Sequence, residues 1–151
     1  MRILRSILIA FGLFVLATGA SAQSLTVTKT PWCGCCDAWV DQMKAAGFEL
    51  TVLVEEDLNP LKNRLGVAPQ YQSCHTAEVE GYVIEGHVPA EDVKRLLAEK
   101  PEARGLAVPG MPVGSPGMEM GSRKDPFAVL LLKYDGNAAV YSKHGPSVHN
   151  H

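Results

Sequence analysis

Four cysteines carry the strongest chemical signal in the sequence. Cys33, Cys35 and Cys36 lie almost side by side, and the fourth, Cys74, is followed directly by His75. Cys33 and Cys36 have the Cys-x-x-Cys spacing, which is typical of both thiol-disulfide exchange and metal binding. The thiolate is the reactive species in both chemistries. The pair alone therefore does not separate the two functions.

Cys35 favours metal binding, because thioredoxin-type enzymes carry no third thiol inside the pair, where it would compete in disulfide exchange. Neighbouring side chains on a helix point about 100° apart, so Cys35 and Cys36 are better placed to bridge several ions than to chelate one. Soft thiolates select Cu(I), zinc or iron–sulfur clusters. Copper is the favoured ion, while a structural zinc site, a pair of disulfides and disulfide exchange stay open as alternatives.

Other soft or nitrogen ligands accompany the cysteines. Met111 and Met118 supply thioethers from a segment dense in Gly and Pro, although methionine also serves simply to cover apolar surface. His75 and His87 supply imidazoles. The predicted metal ligands are Cys33, Cys35, Cys36 and Cys74, with His75, His87, Met111 and Met118 as additional candidates.

The elements around the first cysteines are predicted from the pattern of apolar residues. Residues 25–29 alternate like a strand and lead into Thr30-Pro31, and apolar residues recur at helical spacing from Asp37 to a cap at Gly47. The cysteines thus lie between a strand and a helix N-terminus, where the macrodipole favours thiolate. Residues 48–54 are predicted to form a strand that is buried on at least one face.

The remaining elements complete an alternating pattern. Helices are predicted at residues 60–65 and 90–99, hairpins at 76–84 and 129–142, and an extended loop at 104–122. This order predicts an α/β fold, a thioredoxin-like sandwich with a central mixed sheet flanked by helices. In that fold the loop before the first hairpin lies against the cysteine turn, which would bring Cys74 and His75 to the other cysteines.

The N-terminus has the pattern of a secretory signal peptide. Arg2 and Arg5 precede an apolar run over residues 7–17, and Ala20-Ser21-Ala22 is a small-residue cleavage site. The apolar run is well short of the roughly 20 residues that a spanning helix requires. We therefore expect a signal peptide at residues 1–22, removed on export to the periplasm, and no membrane contact by the mature chain.

The mature chain should form one thioredoxin-like metal-binding domain at residues 23–143. A flexible tail at residues 144–151 would follow, with three histidines that could bind Cu(II) or zinc weakly. Without Arg2 and Arg5, 12 of the 14 basic residues remain against 16 acidic ones, a formal charge of −4. Because phosphate binding depends on clustered Lys and Arg, this charge argues against a nucleic-acid partner.

The chain also resembles the CopG-type periplasmic copper-resistance proteins, a family long classed as a domain of unknown function. The resemblance is carried by four segments, namely Cys33-Gly34-Cys35-Cys36, Ser73-Cys74-His75-Thr76, residues 81–89 and residues 105–112. It implies a thioredoxin-like fold, periplasmic location and a multinuclear copper cluster bridged by the four cysteines. It also implies a role in copper resistance beside other periplasmic copper-handling proteins. The segment after Tyr141 departs from the family pattern.

Two functional hypotheses follow. The first is a metal-binding protein that holds Cu(I), several ions per chain, and interconverts Cu(I) and Cu(II); enzymatic turnover does not follow from the ligands alone. The second is a thiol-disulfide oxidoreductase in which Cys33 attacks and Cys36 resolves. The sequence departs from thioredoxin at Cys35, where a proline is expected.

Overall fold

The structure is a computed structural model that describes residues 22–146. Its strands are β1 (Ser24–Lys29), β2 (Glu49–Val54), β3 (His75–Val79), β4 (Tyr82–Glu85), β5 (Gly105–Ala107), β6 (Phe127–Leu132) and β7 (Ala138–His144). Its helices are α1 (Gly34–Ala45), α2 (Asn59–Arg64) and α3 (Ala90–Glu99), with a single 3-10 turn at Pro69–Tyr71. Within these residues no helix combines the length and the apolar character that crossing a membrane requires.

The seven strands form one sheet in the order β2-β1-β3-β4-β5-β6-β7. The sheet is mixed, because β1 runs parallel to β2 and β4 parallel to β5, while the other neighbours are antiparallel. The predicted α/β class is therefore confirmed. The block β2-β1-β3-β4, with α1 connecting β1 to β2, is compatible with the predicted thioredoxin-like sandwich.

The pairing of β1 with β3 decides where the cysteines lie. The two strands are antiparallel, with Lys29 opposite His75 and Thr26 opposite Glu78. In an antiparallel pair the end of one strand lies beside the start of its neighbour. The first cysteine turn, residues 33–36, follows the end of β1, and Cys74 immediately precedes β3. Both segments therefore lie at the same edge of the sheet.

The core is formed by the inner faces of α1 and α3 against the sheet. Trp39, Val40 and Met43 recur at helical spacing on α1 and are buried, as the sequence pattern predicts. The indole Nε1 of Trp39 donates a hydrogen bond to the carbonyl of Val88 at 2.9 Å, so its buried polar atom is satisfied. This packing fixes the N-terminal half of α1, which carries the cysteines.

Three details differ from the sequence predictions. Helix α1 begins at Gly34 rather than Asp37, so Cys35 and Cys36 lie in its first turn. The predicted loop over residues 104–122 contains the short strand β5. The prediction that residues 48–54 are buried on one face is wrong for β2 itself, whose residues are exposed or half-exposed, since β2 is an edge strand with one neighbour. Only Phe48, just before it, is in the core.

The C-terminal boundary also differs. The predicted tail starts at His144, which in the structure is the last residue of β7. Its Nε2 lies 2.6 Å from the buried carboxylate of Asp92, and its ring stacks on Phe127. The other two tail histidines, His149 and His151, lie outside the described residues.

We predict that Gly105→Ala is far more destabilising than Gly47→Ala. Both glycines have positive φ, but a Cβ at Gly105 would overlap the backbone carbonyl of Val83 in β4, whereas a Cβ at Gly47 meets nothing within 4 Å. The control should lose about 1–2 kcal/mol from backbone strain alone, and Gly105→Ala should lose more than about 3 kcal/mol because the β4-β5 pair must separate. Urea unfolding measures both losses, and equal losses would contradict the close approach.

Candidate metal centre

Two segments of the chain bring four sulfur atoms to one place. Cys33 occupies the N-cap position of α1 without a side-chain capping bond, and Cys35 and Cys36 follow in the first turn. Cys74 lies in the loop before β3. The four Sγ atoms all lie within 4.8 Å of one another. Cys36 is fully buried and the other three are half-buried, so the cluster lies at the surface of the core.

The structure shows one oxidation state of this cluster. Cys33 and Cys36 are joined by a disulfide, and Cys35 and Cys74 are free. The Sγ of Cys35 lies 3.5 Å from that of Cys33. A sulfur atom in a disulfide is not a thiolate, so a site of four thiolates requires two-electron reduction of the Cys33–Cys36 bond.

Cys74 lies between two imidazoles. Its Sγ is 2.9 Å from Nε2 of His87 and 3.4 Å from Nδ1 of His75. On the far side of His87, Nδ1 is 2.7 Å from the carbonyl oxygen of Pro116. A carbonyl oxygen can only accept, so Nδ1 of His87 carries a proton, and the neutral ring leaves a lone pair on Nε2 that points at the Cys74 sulfur.

The same reasoning assigns the proton of His75. If the Cys74 thiol donates to Nε2 of His87, its sulfur is left to accept from Nδ1–H of His75. Nε2 of His75 is buried and has no hydrogen-bond partner. With this tautomer of His75, donation runs from His75 through Cys74 and His87 to Pro116.

Burial sets the protonation of these groups. It raises the pKa of the Cys74 thiol to about 11, with the neighbouring Cys35 adding in the same direction. Burial also lowers the pKa of His87, and it lowers the pKa of His75 well below the usual value, with repulsion from a protonated His87 and from Lys62 acting in the same direction. Without metal, both histidines are thus neutral and Cys74 is a thiol at neutral pH.

A buried lysine supports the first cysteine turn. Lys29 is 6% exposed, and its Nζ lies 3.0 Å from the Asp37 carboxylate. The same Nζ donates to the backbone carbonyls of Thr30 and Cys33 at 3.3 and 3.5 Å. This lysine ties the end of β1 to the start of α1 and places a positive charge beside the sulfur cluster.

The segment rich in Gly, Pro and Met, within residues 104–122, covers the site. The carbonyl oxygen of Pro116 accepts a hydrogen bond from Nδ1–H of His87. A Cβ on Gly117 would lie 2.7 Å from the carbonyl oxygen of Cys35, so only glycine permits this approach to α1. Ser73 donates its hydroxyl to the carbonyl of Gly110. The segment therefore contacts both halves of the cysteine cluster.

Comparisons with known proteins agree with this geometry. A family model described as "Protein of unknown function, DUF411" matches residues 71–118. Two solved structures, named "Copper resistance protein copG- Form 2" and "Copper resistance protein copG- Form 1", are 43% and 44% identical to the chain. Each superposes with a TM-score of 0.79 over 83% of this chain and 100% of the other. No curated protein gives a significant match.

The chain belongs to the CopG copper-resistance family. The two copper resistance proteins are 43–44% identical to the chain, which covers the whole of each, so the similarity extends beyond the fold to the sequence. The family model covers Cys74, His75, His87 and the Met-containing loop but not the first cysteine turn. The structural relatives extend the resemblance to most of the described residues.

The predicted site residues are not all placed alike. His75 and His87 contact Cys74, so the structure joins both imidazoles to the cysteine cluster. Met118 is half-buried next to Gly117, and Met111 is 52% exposed next to Gly110. The methionines are thus in the segment that covers the site, and their role as ligands stays a prediction.

Sequence reasoning missed the buried charged residues around the cluster, chiefly Lys62 and Glu85. Two signals could have found them. Glu85 ends an otherwise apolar strand that is buried on both faces. Lys62 lies four residues after the buried Leu58, which places it on the inner face of α2. A charged residue at such a position is expected to have a buried partner.

The raised pKa of Cys74 predicts slow alkylation at neutral pH in the metal-free oxidised protein. Only the thiolate reacts, so the rate should rise about tenfold per pH unit and level off near the pKa of about 11. Iodoacetamide labelling with peptide mass spectrometry measures Cys74 apart from Cys35. A Cys74 rate that levels off below about pH 9, as for an ordinary thiol, would contradict the effect of burial.

Proposed function

We propose that the protein binds Cu(I) in the periplasm, in a cysteine-bridged site that holds more than one ion and interconverts Cu(I) and Cu(II), one electron per copper passing to or from an external redox partner. The ligands are Cys33, Cys35, Cys36 and Cys74. The observation that carries the proposal is the convergence of four sulfur atoms within 4.8 Å of one another. Thiolates select soft ions, and the relatives are named copper resistance proteins.

The two histidines have different roles in this proposal. His87 presents a free lone pair on Nε2 to the Cys74 sulfur, so it is suited to act as an additional ligand. His75 presents Nδ1–H to the same sulfur and is suited to stabilise the Cys74 thiolate by hydrogen bonding rather than to bind the ion. Bound copper also supplies the charge that makes deprotonation of a buried thiol favourable.

The reduced chain should take up more than one Cu(I) per molecule. The protein is reduced with a phosphine, separated from the reductant under anaerobic conditions, loaded with Cu(I) and analysed for copper and protein. Cys33→Ser and Cys74→Ser should lower the copper content to a similar extent, because each removes one of four convergent thiolates. The oxidised chain, with Cys33 and Cys36 in a disulfide, should bind less.

Two results would contradict the metal proposal. A wild-type stoichiometry of zero excludes copper binding. A single ion whose binding is unaffected by Cys74→Ser excludes a site shared by the two segments. Loading with zinc in parallel distinguishes a structural zinc site, since such a site would bind one zinc tightly and the protein would unfold on chelation.

The disulfide supports a second candidate, a thiol-disulfide oxidoreductase. Cys33 and Cys36 are bonded at the N-terminus of a helix, where a thiolate is stabilised. In that mechanism the Cys33 thiolate attacks a substrate disulfide and Cys36 then displaces the substrate thiol, so the pair becomes oxidised as the substrate is reduced. Insulin reduction that is lost in Cys33→Ser but kept in Cys74→Ser would favour this function.

The proposed location predicts a processed N-terminus. Cleavage after Ala22 should leave Gln23 as the first residue of the protein recovered from the periplasmic fraction. Ala22→Arg should block processing and leave the precursor in the membrane fraction, because the cleavage site requires small residues. N-terminal sequencing and fractionation measure both. A periplasmic protein that still begins at Met1 would contradict the predicted signal peptide.

A further inference from the structure

Beside the cysteine cluster lies a buried ion pair that the proposed ligand set does not use. Lys62, from α2, is 4% exposed, and Glu85, at the end of β4, is 0% exposed. Their ammonium and carboxylate groups are in direct contact. Thr76 of β3 links the two, since its hydroxyl accepts from Lys62 Nζ at 2.9 Å and donates to Glu85 Oε2 at 2.7 Å.

The ion pair is connected to Cys74 through one backbone group. The N–H of Ser73 donates to Glu85 Oε1 at 2.7 Å, and Ser73 directly precedes Cys74. Glu85 therefore accepts hydrogen bonds from α2, from β3 and from the loop before β3, which carries Cys74. Close packing reinforces this anchor, because a Cβ at Gly86 would collide with the Ser73 side chain.

Stability alone is a weak reason for such a pair. Desolvation of two charges roughly cancels their attraction, and apolar residues of similar size often replace a buried ion pair without loss of stability. An apolar pair cannot, however, accept a hydrogen bond from the Ser73 N–H. The carboxylate alone supplies a fixed acceptor for the loop that carries Cys74.

We propose that Lys62 and Glu85 are positioning residues that hold the Cys74 sulfur against the first cysteine turn. Lys62 keeps the carboxylate of Glu85 in place, and Glu85 holds Ser73, which leaves Cys74 within reach of the other sulfurs. The consequence for copper rests on the proposed function. The position of Cys74 does not, because it can be measured without metal.

The test measures the distance between Cys35 and Cys74 by crosslinking. In a Cys33→Ser/Cys36→Ser background these are the only two thiols of the chain's four cysteines, and their sulfurs lie within 4.8 Å. Dibromobimane, a short reagent that joins two nearby thiols and becomes fluorescent, is applied to the metal-free protein. The variant is Lys62→Met/Glu85→Leu, which replaces the ion pair by apolar side chains.

The double variant should still fold, with some loss of stability because the Ser73 N–H and the Thr76 hydroxyl lose their partners, and it should crosslink less. We expect the initial crosslinking rate to fall about fivefold or more, the effect of losing one hydrogen bond to a charged acceptor. Asp92→Asn is the matched control, since it alters another buried carboxylate, which contacts His144, and should leave the rate unchanged. Urea unfolding of each variant separates lost positioning from lost stability.

An unchanged crosslinking rate in the folded double variant overturns the proposal. If the double variant does not fold, Lys62→Met/Glu85→Met replaces it, because methionine keeps the unbranched shape of glutamate and adapts to irregular packing but gives the Ser73 N–H no oxygen to bond. A several-fold decrease then supports positioning, and a wild-type rate overturns it. Copper content is measured separately in the four-cysteine background, with and without the double substitution. Decreased crosslinking together with a wild-type chain that binds no copper would uphold positioning while removing the proposed function.

Discussion

The arrangement of the cysteines depends on the antiparallel pairing of β1 with β3. Lys29 and His75 are opposite each other in this pair, so the chain leaves β1 and enters β3 at the same edge of the sheet. The two cysteine segments are attached directly to these ends, separated in sequence by about forty residues but not in space. Hydrogen bonds of the ladder therefore bring the two halves of the cluster to the same end of the two strands, and no long side chain has to reach across.

The same edge of the sheet carries an unusual number of buried polar groups. Lys29, Thr76, Glu85, His75 and His87 are all less than a tenth exposed. Each would destabilise the fold if left alone, because an unpaired charge or donor in an apolar environment is costly. Here they are mostly paired, by Asp37 for Lys29 and by Lys62 for Glu85. The orphaned Nε2 of His75 is the exception. The fold thus retains polar groups where the cysteines need acceptors and donors, and uses apolar packing elsewhere.

Periodic patterns predicted most of the fold and the list of candidate ligands. Helix α3, both hairpins and the inner face of α1 follow from apolar spacing, which reflects local geometry that each segment determines by itself. The exposure of β2 could not be predicted in this way, because it depends on whether a second strand lies beside it. Strand β5 was hidden for a related reason. Only three residues long, it is defined by its neighbours β4 and β6 rather than by its own sequence.

The details of the site depended even more on tertiary structure. Cys74 was expected near the other cysteines only through the predicted fold, and the roles of His75 and His87 follow from which atom faces which, information that spacing does not contain. Lys62 and Glu85 lie 23 residues apart, on a helix and a strand, and nothing in either segment alone indicates the partner. Buried polar networks join positions that are distant in sequence. A sequence can therefore show a charged residue at a position expected to be buried, but it does not show which residue pairs with that charge.

The disulfide and a metal site compete for the same sulfurs. Oxidation removes Cys33 and Cys36 as thiolates, whereas the proposed metal site uses all four, so a bound ion would stabilise the reduced form by mass action. For this two-electron couple, each tenfold increase in the ratio of free metal to its dissociation constant raises the reduction potential of the disulfide by about 30 mV, which favours the reduced form. Copper at the cluster would therefore protect the pair from oxidation, and in the metal-free protein an external two-electron oxidant could close the disulfide. In the oxidised form the free Cys35 sulfur still lies 3.5 Å from that of Cys33. On this view a third thiol inside the pair serves a site that alternates between disulfide and metal, and it would be a disadvantage in an enzyme that only exchanges disulfides.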